Sequence, residues 1–373
     1  MPARKKRTSR KTSGTKRKPV RKATPQKKPK AKQVYDNPMI PWNLDAGTTF
    51  SMLNLFQECR EQTYQSYVNG FSGKKLKDGL EFGSIWHLIQ EHYYENTNQS
   101  PSAVAKKVCY AYEKWRKPTL FKNEYENFQI LLGIAEMMFP LYVDFWKNDD
   151  QEIEWLEQEQ KFKTPYTFED IDGKQRTVFL RGMRDGVYRE DGVLGVFETK
   201  TKGQVSTTSI RDQLKADLQT LIYVTTSMIE FGEMPKKVMY NVIRRTQLRR
   251  NQTENIRDYL NRIKADIIKR PKFYFMRWNV DLVQRDIVMF RRETLDPLLR
   301  IFCQWADSLK KIGALDGKPA KRFNSPFHFR NCTALVGKYG RVDMFDLLTK
   351  NSTAGYWRRK SCFPELDESN PVL

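Results

Sequence analysis

The sequence predicts an α/β fold: a central mixed β-sheet flanked by helices, with helical additions before its central hairpin and a basic tail at the N-terminus. Three observations predict it. Asp191-Gly192 is a two-residue turn signal between two apolar, β-prone runs, Val178 to Tyr188 and Val193 to Thr201. Further β-prone runs stand at Glu152 to Phe168, at 236–246 and at 272–280. Between and around these lie stretches with apolar residues at helical spacing, so strands and helices interleave.

Residues 1–33 are Lys, Arg, Thr, Ser and Pro with hardly any large apolar side chain. Such a segment buries too little surface to offset its ordering entropy, so we read it as disordered. Residues 34–48, with Pro38, Pro41 and Gly47, form a connector. A cap-like Thr48-Thr49-Phe50-Ser51 then opens a helix with Met52, Leu55, Phe56, Tyr64, Tyr67 and Val68 on its apolar stripe, ending at Gly70. A second helix is expected from Leu80 to Tyr94, and two amphipathic helices follow at 102–117 and 124–148. The most apolar stretch, Ile130 to Trp146, is broken by Glu136, Pro140 and Asp144, and reads as a core helix, not a membrane span.

The run from Glu152 to Phe168 is the first strand, and Asp172-Gly173 turns it into the strand carrying Asp185. Glu154 or Glu159 could reach a site there, but acids on a sheet edge are usually solvated, and neither is assigned a role. After the hairpin, Thr207-Thr208-Ser209 is a cap cluster for a helix through Leu214, Leu218, Leu221 and Ile222. The strand at 236–246 ends in Arg244-Arg245, with Arg249 and Arg250 beyond it; this cluster could hold phosphates or simply be solvated. A helix at 253–269, a strand at 272–280 and a long helix from Thr294 to Ile312 complete the reading, and 281–292 carries no motif.

The charge points to a polyanionic partner. Residues 1–33 hold 15 Lys and Arg and no acid, so of the formal +22 the remainder still carries +7. Nucleic acid fits better than a membrane, since no hydrophobic anchor accompanies the charge. The tail then reads as a non-specific DNA arm, or as a nuclear targeting signal in a eukaryotic host. Five scattered cysteines without a CxxC pair predict no disulfide framework and a reducing compartment. No signal peptide is visible, and the expected location is cytoplasmic, in a bacterial host or encoded by its phage, or nuclear if the host is eukaryotic.

Chemistry concentrates in the hairpin. Leu194, Val196, Glu198 and Lys200 share one face of a strand, which sets a carboxylate beside an ammonium on a largely apolar surface. Buried charges are costly unless paired or bound to metal. Two carboxylates, Asp185 and Glu198, can hold a divalent cation that polarises a phosphate, and Lys200 can orient water or balance charge. Gln219 and Tyr223, four apart, lie on one face of the following helix.

Gly182-x-x-Asp185, Glu198-Thr199-Lys200, Gln219-x-x-x-Tyr223 and, upstream, Gly83-x-x-x-His87 resemble the PD-(D/E)XK nuclease superfamily, in particular its RecB-like exonuclease branch. The 13 residues from Asp185 to Glu198 suit that family's hairpin. Arg184 stands where the name-giving proline would precede the aspartate. The resemblance implies a restriction-endonuclease-like core over 49–350 with a C-terminal tail at 351–373. It implies that His87, Asp185, Glu198 and the Thr199 carbonyl ligate Mg²⁺ or Mn²⁺, the imidazole favouring Mn²⁺. Lys200 would position the attacking water, Gln219 would orient Lys200 or a phosphate, and Tyr223 would stack or hydrogen-bond beside it. His92 is read as structural.

The stretch from Phe327 to Ser352 resembles the tail of iron–sulfur members of this branch, and Cys59 and Cys332 could be two of their four ligands. Residues 340–350 lack cysteine, so no iron–sulfur cluster is predicted. The implied function is a metal-dependent DNA nuclease acting on single- or double-stranded DNA in recombination, repair or genome processing, with an exonuclease preferred. The alternatives are a structure-selective endonuclease for junctions or flaps, a ribonuclease, and an inactive nucleic-acid-binding protein. A stand-alone nuclease with a basic arm would suit a phage or virus.

Overall fold

A computed structural model describes residues 42–73, 76–95, 98–205, 216–313, 315, 356–359 and 361–366. The expectations for the tail, for most of the connector, for Thr207-Thr208-Ser209 and for Cys332 and 340–350 lie outside these residues.

In chain order the elements are β1 (Thr48–Thr49), α1 (Phe50–Glu58), α2 (Arg60–Thr63), β2 (Phe71–Gly73), α3 (Asp78–Glu95), α4 (Pro101–Arg116) and α5 (Tyr125–Gln151). Then come β3 (Glu154–Glu169), β4 (Gln175–Glu190), β5 (Val193–Lys202), α6 (Leu218–Phe231), β6 (Lys237–Arg244), α7 (Ile256–Lys269) and α8 (Pro271–Tyr274). Last are β7 (Phe275–Asp281), α9 (Gln284–Phe290), α10 (Asp296–Lys311) and β8 (Tyr356–Arg358).

The sheet is mixed, as expected. Six strands run in the order β1-β4-β5-β6-β7, with β3 also paired to β4. The β4–β5 and β6–β7 pairs are antiparallel and β5–β6 is parallel. The long β4 serves three partners: β3 along its length, β1 at Leu180 and Arg181, and β5 from Gly186 onward. The hairpin turn is the one the dipeptide predicts. Asp191 and Gly192 both take positive φ, 51° and 75°, as a turn matched to the twist of its strands requires.

Two large cores lie in the layers about the sheet, beside a small cluster of Tyr188, Phe197 and Met239. One gathers α1, α6, α9 and α10 around Trp42, Phe56, Val196, Tyr223 and Phe302. The other gathers α3, α4, α5 and α7 around Trp86, Val108, Phe139, Tyr142 and Ile263. Helix α5 is long and apolar enough to cross a membrane by composition, but Phe128, Leu132, Ala135, Met138 and Phe139 face the second core. It runs through Pro140 without a break in the helix.

Three local expectations are corrected. The helix expected to reach Gly70 stops at Cys59, whose extended backbone (φ −163°) both ends α1 and caps α2. A π-helical turn, Tyr64–Val68, completes the span. The stretch 281–292 holds α9. Cys59 is disulfide-bonded, against the expectation of no disulfide framework, whereas Cys109 and Cys303 are free thiols.

Candidate active site

The site forms where α3 crosses β3 and β4, at the point where the hairpin strands carry their charged residues. Gly83 and His87 are four apart on α3, so they share one face. A Cβ on Gly83 would come 3.1 Å from Thr201 Oγ1, so glycine lets the helix lie close on β5. That approach carries His87 onto the sheet. Its Nδ1 stands 3.4 Å from Asp185 Oδ1 and 3.5 Å from Glu159 Oε1.

Asp185 is held from β5, where the Thr199 amide donates to its Oδ2. The Thr199 hydroxyl accepts from Asn241 Nδ2 at 3.1 Å, and the same amide donates to Tyr142 Oη at 3.0 Å. The Glu198–Thr199 segment is therefore gripped from β4, β6 and α5 together.

Lys200 points to the other side of the strand, with Glu198. Its Nζ lies 2.7 Å from Glu198 Oε1 and 3.0 Å from Asp217 Oδ2, and donates to Gln219 Oε1 at 2.9 Å. Gln219 Nε2 donates in turn to Tyr223 Oη at 3.2 Å. Tyr223 packs edge-on against Phe162, both over Gly182, where a Cβ would come 2.9 Å from the Phe162 ring. The glycine of the Gly182-x-x-Asp185 pattern thus makes room for the tyrosine of the other motif.

The sequence reading set His87, Asp185 and Glu198 about one ion, and in the structure His87 Nδ1 stands 3.4 Å from Asp185 Oδ1. The cluster whose ligand atoms all lie within 4.8 Å of one another is His87, Glu159 and Asp185. Glu198 is outside that set and ion-paired to Lys200. Its charge still acts on Asp185, Glu159 and His87, so it is a neighbour of the cluster. Thr199 enters through its amide and hydroxyl.

Glu159, left unassigned as a sheet-edge acid, is 5% exposed. Two irregularities place it there. The β3–β4 register shifts between Trp155 and Glu157, and Glu159 itself takes φ 47°, unusual for any residue but glycine. Neither is announced by the local residues. Asp217 was missed for another reason. It is the N-cap of α6, its carboxylate accepting from the Gln219 amide. Asp217 immediately before the apolar run from Leu218 is a cap signal, and the Thr-Thr-Ser cluster upstream drew the assignment away from it.

Charge at the site is unbalanced toward the acids. Burial pushes Asp185 and Glu159 up to about 7 and Glu198 up to about 8, against the pull of His87 and Lys200. Burial alone would lower His87, but Asp185, Glu159 and Glu198 raise it to about 10. Lys200 is held above the usual ammonium range by Glu198 and Asp217, despite its own burial. Glu159 Oε2 and Glu198 Oε2 are buried without a hydrogen-bond partner, while Glu159 Oε1 faces His87 Nδ1 at 3.5 Å and Glu198 Oε1 is taken by Lys200.

These are the marks of a cation site. Two carboxylates and an imidazole converge, and the orphaned oxygens are what a divalent ion satisfies. Three atoms within 4.8 Å of one another leave a point no more than about 2.8 Å from each, close to the bond lengths of hard divalent cations. The donor set fits a divalent metal cation.

The family model described as the PD-(D/E)XK nuclease superfamily matches residues 48–310. No curated protein matches the chain.

Proposed function

The chain belongs to the PD-(D/E)XK nuclease superfamily, and from that premise we propose that it is a metal-dependent DNA nuclease, an exonuclease in preference to a structure-selective endonuclease. One observation carries the reading: an acid-and-imidazole cluster with orphaned oxygens stands beside a lysine whose ammonium is anchored by three oxygens.

His87, Glu159 and Asp185 would hold the cation, with Glu198 next to them. When bound, such an ion polarises a phosphate oxygen and lowers the pKa of water. The remaining work falls to the chain. Lys200 is kept protonated by Glu198 and Asp217, so it offers a fixed positive charge to the phosphate and its incoming oxygen. Gln219 and Tyr223 form the rail that sets the direction of that ammonium. Glu198 is the nearest carboxylate to Lys200, and so the group positioned to accept a proton from water that the lysine orients. The basic body and arm supply affinity for the substrate backbone.

RecB-like kinship, a place in recombination or genome processing, and a phage or bacterial cytoplasm form the setting we propose, on motif resemblance and the basic arm. The test is incubation with end-labelled single- and double-stranded DNA, and with a closed circle and its linear form, in Mg²⁺, Mn²⁺ or EDTA. An exonuclease degrades the linear form and spares the circle, and EDTA stops it. Loss of turnover by a factor of about 100 or more is expected for Glu198→Ala. Unchanged turnover and metal dependence in that variant would defeat the assignment, and cleavage of the circle would favour the endonuclease.

A further inference from the structure

Beyond the charged cluster, the glycine face of α3 that lies on β5 meets Arg245 at Gly79. The Arg245 amide donates to the Lys202 carbonyl at 2.8 Å, which fixes its backbone beside the end of β5, two residues past Lys200. The guanidinium lies in a slot between two glycines. A Cβ on Gly79 would come 3.3 Å from its Nη2, and one on Gly203 would come 3.1 Å. Gln247 closes the far side by donating to the Gly203 carbonyl.

This arginine differs from the others in similar places. Arg116, Arg184, Arg262, Arg270 and Arg277 each pair with an acid. Its neighbour Arg244 lies over the Phe273 ring and donates to the Val205 carbonyl. Arg245 makes no ion pair or side-chain hydrogen bond with the described residues, and its Nε is buried without a partner. An unpaired donor held against two backbone surfaces is unfavourable unless something else accepts from it. A planar five-donor fork is suited to a phosphate.

Position says which phosphate. Gly79, Gly83 and His87 form one stripe on α3, at i, i+4 and i+8. Gly79 abuts Arg245, Gly83 abuts Thr201, and His87 reaches the acid cluster. Eight residues of helix span about 12 Å, or three to four base steps at about 3.4 Å each. The slot also opens beyond the carboxyl ends of the parallel pair β5–β6, where ligands of open α/β sheets bind.

We propose that Arg245 is a substrate-positioning residue that grips a backbone phosphate of the nucleic-acid strand three to four nucleotides from the bond at the His87–Glu159–Asp185 cluster. The inference rests on the nuclease reading, and its test separates the two. The full chain is titrated with fluorescein-labelled DNA in EDTA over a range of KCl, and anisotropy gives the dependence of log K on log[salt]. Arg245→Ala weakens binding about tenfold and flattens the slope by about 0.7 on single strands or about 0.9 on duplex. Arg245→Lys, a point charge without the fork, restores the slope and only part of the affinity.

The thermal midpoint of Arg245→Ala stays at the wild-type value, because no side-chain partner among the described residues is lost. A wild-type slope and affinity in Arg245→Ala would overturn the proposal, as would a lowered midpoint with an unchanged slope. If the wild-type chain cuts end-labelled DNA while the slope ignores Arg245, this inference fails alone. If the slope depends on Arg245 but no strand is cut, the nuclease reading fails and the phosphate grip stands.

Discussion

Replacing Glu159 by glutamine should make the protein more stable and less able to hold a cation. The carboxylate is buried, its Oε2 lacks a hydrogen bond, and burial pushes it from the ordinary 4.5 up to about 7. Its ionisation at about pH 8 therefore costs roughly 3 kcal/mol in the cation-free protein. The folded state holds this proton more tightly than the unfolded chain does. Stability thus falls as pH rises from 4.5 toward 7 and levels off above that. Glu159→Gln keeps the shape and removes the ionisation. In EDTA the variant should gain about 1–3 kcal/mol at about pH 8, and almost nothing at about pH 4.5.

With a divalent ion present the order should close up or reverse. Losing an anionic ligand weakens binding by at least about the 10–100-fold seen for outer-sphere partners, and a hundredfold excess over Kd is worth about 2.7 kcal/mol of stability. Thermal melts of both proteins in EDTA and in Mn²⁺, at the two pH values, read all four quantities. Glu159→Gln no more stable than wild type in EDTA at the higher pH, or an equal Mn²⁺ shift in both proteins, would refute the reasoning.

Cation binding should release protons, since His87 is raised to about 10 and Asp185 and Glu159 to about 7. Affinity then rises with pH between about 6 and 9, and calorimetry in two buffers of different ionisation heat gives different apparent enthalpies. Arg184, 1% exposed, is paired with Glu157 at 2.8 Å and with Glu230. Arg184→Met strands both acids and should cost about 3 kcal/mol, read as a lower urea midpoint at an unchanged m-value.

Much of this fold is legible in local chemistry. Asp191-Gly192 forces the hairpin because few other dipeptides accept two positive φ values in succession. Alternation along Leu194, Val196, Glu198 and Lys200 puts the acid and the ammonium on one face, where they pair. The spacing of Gly83 and His87 is a helical contact surface that needs only the strand it meets. What escaped was set by non-local geometry. A register shift and one left-handed residue turn Glu159 inward, and strand parity at that point contradicts the local pattern. Asp217 serves as a helix cap and as an anchor for Lys200, and only the folded chain brings those duties together. Arg184 is buried against a strong expectation for arginine, because two acids from β3 and α6 surround it.

The charged residues that would do the chemistry come from α3, β3, β4, β5 and the start of α6, and no two neighbouring elements suffice. Contacts so distant along the chain close late. A ribosome must have delivered everything as far as Gln219, and the strands must have zipped, before any blade exists. On the proposed reading, a chain still being synthesised would lack an assembled site until that point.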